Sequence, residues 1–170
     1  TDTALDVIGW RQSTRPRPPL FVGPSKEFVS EIVEDRITKM LSSTKGLSID
    51  TLRSTKRLKI VNGVRVRLAW GGSPASLASD QAGDVIVDEY DKMFRAQRRA
   101  GDPYVLAEAR GDTYADRKML VTSTPEQGKV DTEVDPKSGL EFWALGRNEL
   151  IESRIWRRFQ TGTRHHAAWQ

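Results

Sequence analysis

The sequence predicts an α/β fold with a largely parallel central sheet and an added β-hairpin. Three observations predict it. Val85-Ile86-Val87 is an unbroken β-branched run, the pattern of a strand buried on both faces of a parallel sheet. Met119-Leu120-Val121 is a second short apolar run, and Pro125 closes its exit because proline cannot continue a central strand. About thirty residues separate the two runs, enough for a right-handed helical crossover between parallel neighbours. Finally, Asn62-Gly63 sits between the alternating runs 58–61 and 64–68, the strongest short hairpin signal.

The other elements follow in chain order. Residues 1–13 read as the body of an amphipathic helix, with Ala4, Leu5, Val7 and Ile8 on its apolar side and no good start signal. Arg15-Pro16-Arg17-Pro18-Pro19 ends it in a stiff loop. Leu20-Phe21-Val22 reads as a buried strand ending at Gly23-Pro24. Ser25 is the expected N-cap of a helix from Lys26 to Ser42, with Phe28, Val29, Ile32, Ile37, Met40 and Leu41 facing inward. After the hairpin, Gly71-Gly72-Ser73-Pro74 breaks the strand and opens a short helix to Ser79. Tyr104 to Arg110 reads as helical, and 126–140 as a polar, Gly/Pro-bearing mobile loop. Phe142 to Leu145 is a candidate last strand. Ile151 to Phe159 is compatible with helix or strand.

At 170 residues, one domain with one sizeable core is expected. No apolar run approaches the length of a membrane span, and the start carries no signal-peptide pattern. Without cysteine there is no disulfide framework and no Cys-based zinc site, which fits a cytosolic setting. Net charge is only +4, but 27 Lys and Arg permit a basic face for nucleic acid.

The chemistry concentrates where Val85-Ile86-Val87 runs into Asp88-Glu89. Open α/β sheets bind ligands at the carboxyl ends of their strands. A strand ending in Asp-Glu there has the form of a Walker B element, whose Asp helps hold Mg2+ on a nucleotide while Glu polarises the attacking water. The bland alternative is a strand ending in an acidic turn. The second strand weighs against it, because Thr122-Ser123-Thr124 places hydroxyls in the corresponding position.

The whole order of motifs resembles the ATPase domain of tailed-phage terminase large subunits of the lambda type. The resemblance runs from the Gly-Pro-Ser strand end and Asp35-Arg36, through the hairpin and Gly71-Gly72-Ser73-Pro74, to Val85–Asp91, Gly101-Asp102-Pro103, Leu106–Arg110 and Lys118–Pro125. It implies a P-loop NTPase-like three-layer fold and an ATPase that drives viral double-stranded DNA into a procapsid in the host cytoplasm. The implied cofactors are ATP and Mg2+. Implied partners are DNA, the small terminase subunit and the portal protein, with a homo-oligomeric ring during packaging and no membrane. Asp88 matches the Mg2+-associated acid and Glu89 the catalytic acid. Ser123 and Thr124 match the motif that couples hydrolysis to DNA movement.

One departure is large. A P-loop requires Gly-x-x-x-x-Gly-Lys-Ser/Thr, and the chain's single Gly-Lys pair, Gly128-Lys129, is followed by Val130. In the family a helix like that at 1–13 follows the P-loop. Residues 1–170 are therefore expected to be a motor domain truncated before the P-loop and before a nuclease domain. Thr1 is the candidate last P-loop residue, with its hydroxyl on Mg2+ and nucleotide.

Other features have weaker functional readings. Arg53, Lys56, Arg57, Lys59, Arg65 and Arg67 have no acid among them; they could track a DNA backbone or form a solvated strand face. Arg95, Arg98 and Arg99 read as a solvated surface. Arg36 and Arg110 are arginine-finger candidates by position. His165-His166 reads as a surface pair rather than a metal site. The five tryptophans, Trp10, Trp70, Trp143, Trp156 and Trp169, are spread along the chain as core packing would have them. Two rival functions remain: a helicase-like or other DNA translocase, and a non-catalytic assembly domain that keeps the NTPase scaffold.

Overall fold

The computed structural model describes residues 1–78, 81–90, 92–93, 103–124, 132–134 and 141–143. The chain divides into two compact units, Thr1–Thr122 and Ser123–Gln170.

The first unit is built on a five-stranded sheet of order β2-β3-β1-β4-β5. Its strands are β1 (Pro19–Gly23), β2 (Leu58–Val61), β3 (Val64–Trp70), β4 (Asp84–Val87) and β5 (Lys118–Val121). β1 is parallel to both β3 and β4, and β4 is parallel to β5. Only β2 runs the other way, as the first arm of the hairpin. Asn62 and Gly63 both have positive φ, 47° and 82°, as a two-residue turn matched to strand twist requires. β1 and β4 are buried along their whole length, as parallel strands with neighbours on both sides must be. Among the described residues β5 pairs only with β4, and Met119, Leu120 and Val121 are half-buried. At this edge of the described sheet the apolar run is less buried than its neighbour β4.

Helices cover both faces. α1 (Asp2–Thr14) packs Ala4, Leu5 and Ile8 into a core with Phe21, Val66, Leu68 and Ile86. The same core takes Val29, Val33, Ile37 and Leu41 from the next helical segment. Strand alternation sends Leu20, Val22, Val85 and Val87 to the opposite face. There α3 (Pro74–Ala78) and α4 (Pro103–Glu108) pack against each other, β3 and β4, burying Leu77 and Ala107. A 3-10 turn, Ala109–Gly111, follows α4.

The helix expected over Lys26–Ser42 has two parts, a π-helix at Phe28–Val33 and α2 at Glu34–Ser43. Ser25 does cap it, its hydroxyl accepting from the Phe28 N–H at 3.2 Å. The π turn changes which residues face inward. In an α-helix, positions three apart lie about 60° apart around the axis. A π turn holds more residues and separates them further. Val29, Val33, Ile37 and Leu41, each four apart, are fully buried, whereas Ile32 is 42% exposed. The inward assignment of Ile32 is thereby corrected.

Three other expectations change. Trp10 is 61% exposed rather than in the core. Lys59, read as part of a solvated basic stretch, is 6% exposed and paired with Glu34. The segment expected as a loop at 126–140 contains β6 (Thr132–Val134), which pairs antiparallel with β7 (Glu141–Trp143) in the second unit. Readings that rest on Arg95, Arg98, Arg99, Gly128-Lys129, the 151–159 segment, His165-His166, Trp156 and Trp169 lie outside the described residues.

Candidate active site

The carboxyl end of β4 is fixed by its neighbours' backbones. Asp88 N–H donates to Val22 O at 2.9 Å, and Thr122 N–H donates to Val87 O at 2.8 Å. Tyr90 N–H then donates to Thr122 O at 3.2 Å. Between these anchors Glu89 adopts φ 55°, a left-handed conformation uncommon outside glycine and concentrated at functional sites. In regular strand the adjacent Asp88 and Glu89 would point to opposite faces. The turn at Glu89 takes it out of that alternation.

Asp88 is 2% exposed and collects donors on both carboxylate oxygens. Oδ2 accepts from the Thr1 hydroxyl at 2.6 Å. Oδ1 accepts from the Thr122 hydroxyl at 2.7 Å and from the Glu89 N–H at 3.1 Å. Thr1 is the N-cap residue of α1, but its hydroxyl makes no cap hydrogen bond. It is directed to Asp88 instead, leaving first-turn N–H groups of α1 without a side-chain cap. That end of the helix carries the positive pole of the dipole and suits an anion.

The Glu89 side chain is 20% exposed, and Lys92 Nζ lies 2.9 Å from its Oε2. Oε2 is buried, with this ammonium as its ionic neighbour.

The far end of the same helix and strand is also joined. Arg11 Nε and Nη2 donate to Asp84 Oδ2 and Oδ1 at 2.7 and 2.9 Å. This hydrogen bonding raises the Arg11 guanidinium above its ordinary pKa, against the opposing effect of burial.

The structure thus brings together three of the sequence-derived residues, Thr1, Asp88 and Glu89. Ser123 and Thr124 begin the second unit, where the Ser123 hydroxyl donates to Thr124 O at 3.3 Å. The hydroxyl that reaches Asp88 from β5 is that of Thr122, which the sequence reading left out of the site. A signal for it was present: Val87 and Val121 end the two apolar runs and are register partners, so the residues after them face each other. Lys92 was also missed.

The remaining candidates lie elsewhere. Arg36 pairs with Asp2 at 2.9 Å, and Arg110 Nε donates to Leu106 O at 3.3 Å. Arg57 stacks over Trp70, 5.3 Å from the ring centre. Arg65 and Arg67 share one face and line a cavity of about 380 Å³ with Pro18, Pro19, Gln81 and Tyr114, at the amino-terminal ends of the parallel strands.

The donor set at Asp88 fits a magnesium ion. Carboxylate and hydroxyl oxygens are the hard ligands Mg2+ selects, and it usually takes one or two carboxylates with phosphates and waters rather than an all-protein cage. Among the described residues no cluster of three or more His, Cys, Asp or Glu offers such a cage.

Comparison with known proteins adds two findings. A family model described as "Phage terminase large subunit gpA, ATPase domain" matches residues 1–170. The chain is also similar in fold to a solved large terminase from the thermophilic bacteriophage D6E, with a TM-score of 0.52 and 16% identity over 72% of this chain. It spans 30% of the length of that terminase. No curated protein sequence matches the chain.

Proposed function

Because the chain belongs to the ATPase-domain family of phage terminase large subunits, we propose that it is the motor part of a packaging enzyme that couples Mg-ATP hydrolysis to movement of viral double-stranded DNA into a procapsid. The carrying observation is Asp88, buried at a strand end and held by the hydroxyls of Thr1 and Thr122 beside the N-terminus of α1.

In this reading Thr1 is the last residue of a phosphate-binding loop. Thr1 and Asp88 hold the magnesium ion. Held there, the ion would supply positive charge against the charge that develops on the phosphates. The α1 N-terminus favours the same anion. Glu89 orients the attacking water in line with the scissile bond and accepts its proton on the carboxylate. Lys92 holds that carboxylate in place between turnovers. Ser123 and Thr124, directly after Thr122, respond to loss of the γ-phosphate and transmit it to the segment that follows.

The partners in this reading are DNA, the small terminase subunit, the portal protein and further copies of the chain in a ring, in the host cytoplasm. Among the described residues no helix is long and apolar enough to cross a membrane. The test is DNA-stimulated ATP hydrolysis by the full-length protein. The expected result is Mg2+-dependent turnover that Glu89→Gln abolishes. Hydrolysis unchanged by that substitution would reject the assignment.

A further inference from the structure

Arg11 and Asp84 form a two-pronged ion pair that is 9% and 2% exposed. A buried pair regains its desolvation cost poorly, and its best-attested use is to fix register. What it fixes here follows from the two elements it joins. From Thr1 to Arg11, α1 rises about 15 Å. From Asp84 to Asp88, β4 advances about 13 Å. Helix and strand run in opposite directions, nearly matched in length, and are tied at both ends: Arg11 to Asp84, and Thr1 to Asp88. Between the two ties, Ala4, Leu5 and Ile8 of α1 share one hydrophobic core with Ile86 of β4. Apolar burial is non-directional and leaves the helix free to slide or roll. A planar guanidinium fork on a carboxylate is directional and does not.

We propose that Arg11 and Asp84 are positioning residues for nucleotide hydrolysis. Their pair sets the height and rotation of α1 on β4, and so holds the Thr1 hydroxyl on Asp88 from the opposite end of the sheet. The inference rests on the reading of Thr1 and Asp88 as the magnesium-holding pair.

The test compares full-length wild type with Arg11→Met/Asp84→Leu, Arg11→Lys and Asp88→Asn. Each is measured by thermal unfolding and by titration with a fluorescent ATP analogue, with Mg2+ and with chelator. The apolar pair removes the fork while filling its space. It is expected to unfold cooperatively and to lose about tenfold of the affinity gained from Mg2+, the usual size when a group that orients a metal ligand is lost. Arg11→Lys, with charge but no fork, is expected to lie between. If the folded double variant keeps the full Mg2+ gain while Asp88→Asn loses it, the positioning role is overturned and the magnesium reading stands. If Asp88→Asn keeps the gain, the magnesium reading fails and the inference with it. If the double variant does not fold, Arg11→Lys decides, and wild-type Mg2+ gain in it overturns the proposal. Failure of both to fold makes the pair a folding element and equally overturns it.

Discussion

Thr122 Oγ1 donates a 2.7 Å hydrogen bond to Asp88 Oδ1 across the ends of β5 and β4. The same two strand ends exchange a backbone hydrogen bond, Thr122 N–H to Val87 O at 2.8 Å. The side-chain contact therefore inherits the precision of the sheet ladder. A carboxylate held on one oxygen by Thr122 and on the other by Thr1 has little freedom to rotate.

Thr122→Val removes the donor and keeps the shape. It should weaken Mg2+-dependent nucleotide binding by about tenfold, as loss of a group that orients a metal-ligating carboxylate usually does, and Thr122→Ser should restore it. The measurement is nucleotide affinity across a Mg2+ titration. A valine variant with unchanged Mg2+ dependence would show that the ladder alone holds Asp88.

Glu89→Gln and Asp88→Asn should separate two roles. The first should lower kcat by roughly a hundredfold or more, the range for loss of general-base help, with ATP binding largely intact. The second should weaken Mg2+-dependent binding itself. Steady-state ATPase kinetics beside equilibrium nucleotide binding distinguish them. Matching profiles for the two variants would contradict the division of labour.

Ser123→Ala with Thr124→Val should stop DNA packaging more than it reduces nucleotide affinity. Both are read in parallel, packaging by DNA protected inside procapsids and affinity by titration. Proportionate losses would demote the two residues to a structural turn.

A polypeptide of these 170 residues should show negligible ATPase activity. It carries no Gly-Lys-Ser/Thr sequence, so neither the backbone cradle nor the lysine that positions the phosphates is present. Steady phosphate release that vanishes in Glu89→Gln would refute this.

The π turn makes a packing prediction. Ile37 is fully buried and Ile32 is 42% exposed. Ile37→Ala should cost about 2–5 kcal/mol of unfolding free energy, while Ile32→Ala should change it by no more than about 0.5 kcal/mol. Urea unfolding of both variants checks it. Equal losses would mean that Ile32 packs inward in solution.

By itself the sequence determined what depends on neighbours along the chain. The 85–87 run is a strand because it is apolar and β-branched throughout, and Asp88-Glu89 lies at its exit whatever the rest of the chain does. Asn62-Gly63 turns the hairpin because its residues tolerate positive φ. What the tertiary structure decided depends on groups far apart in sequence. Thr1 and Asp88 are 87 residues apart and meet only when α1 docks against β4. Thr122 rather than Ser123 reaches Asp88 through the β4–β5 register, and strand periodicity moves side chains to the other face with every one-residue shift. The edge position of β5, the outward turn of Ile32 on a π segment and the burial of Lys59 against Glu34 were likewise outcomes of packing. Local preferences select the elements; burial and register, which sum over contacts between them, select which side chains share a site.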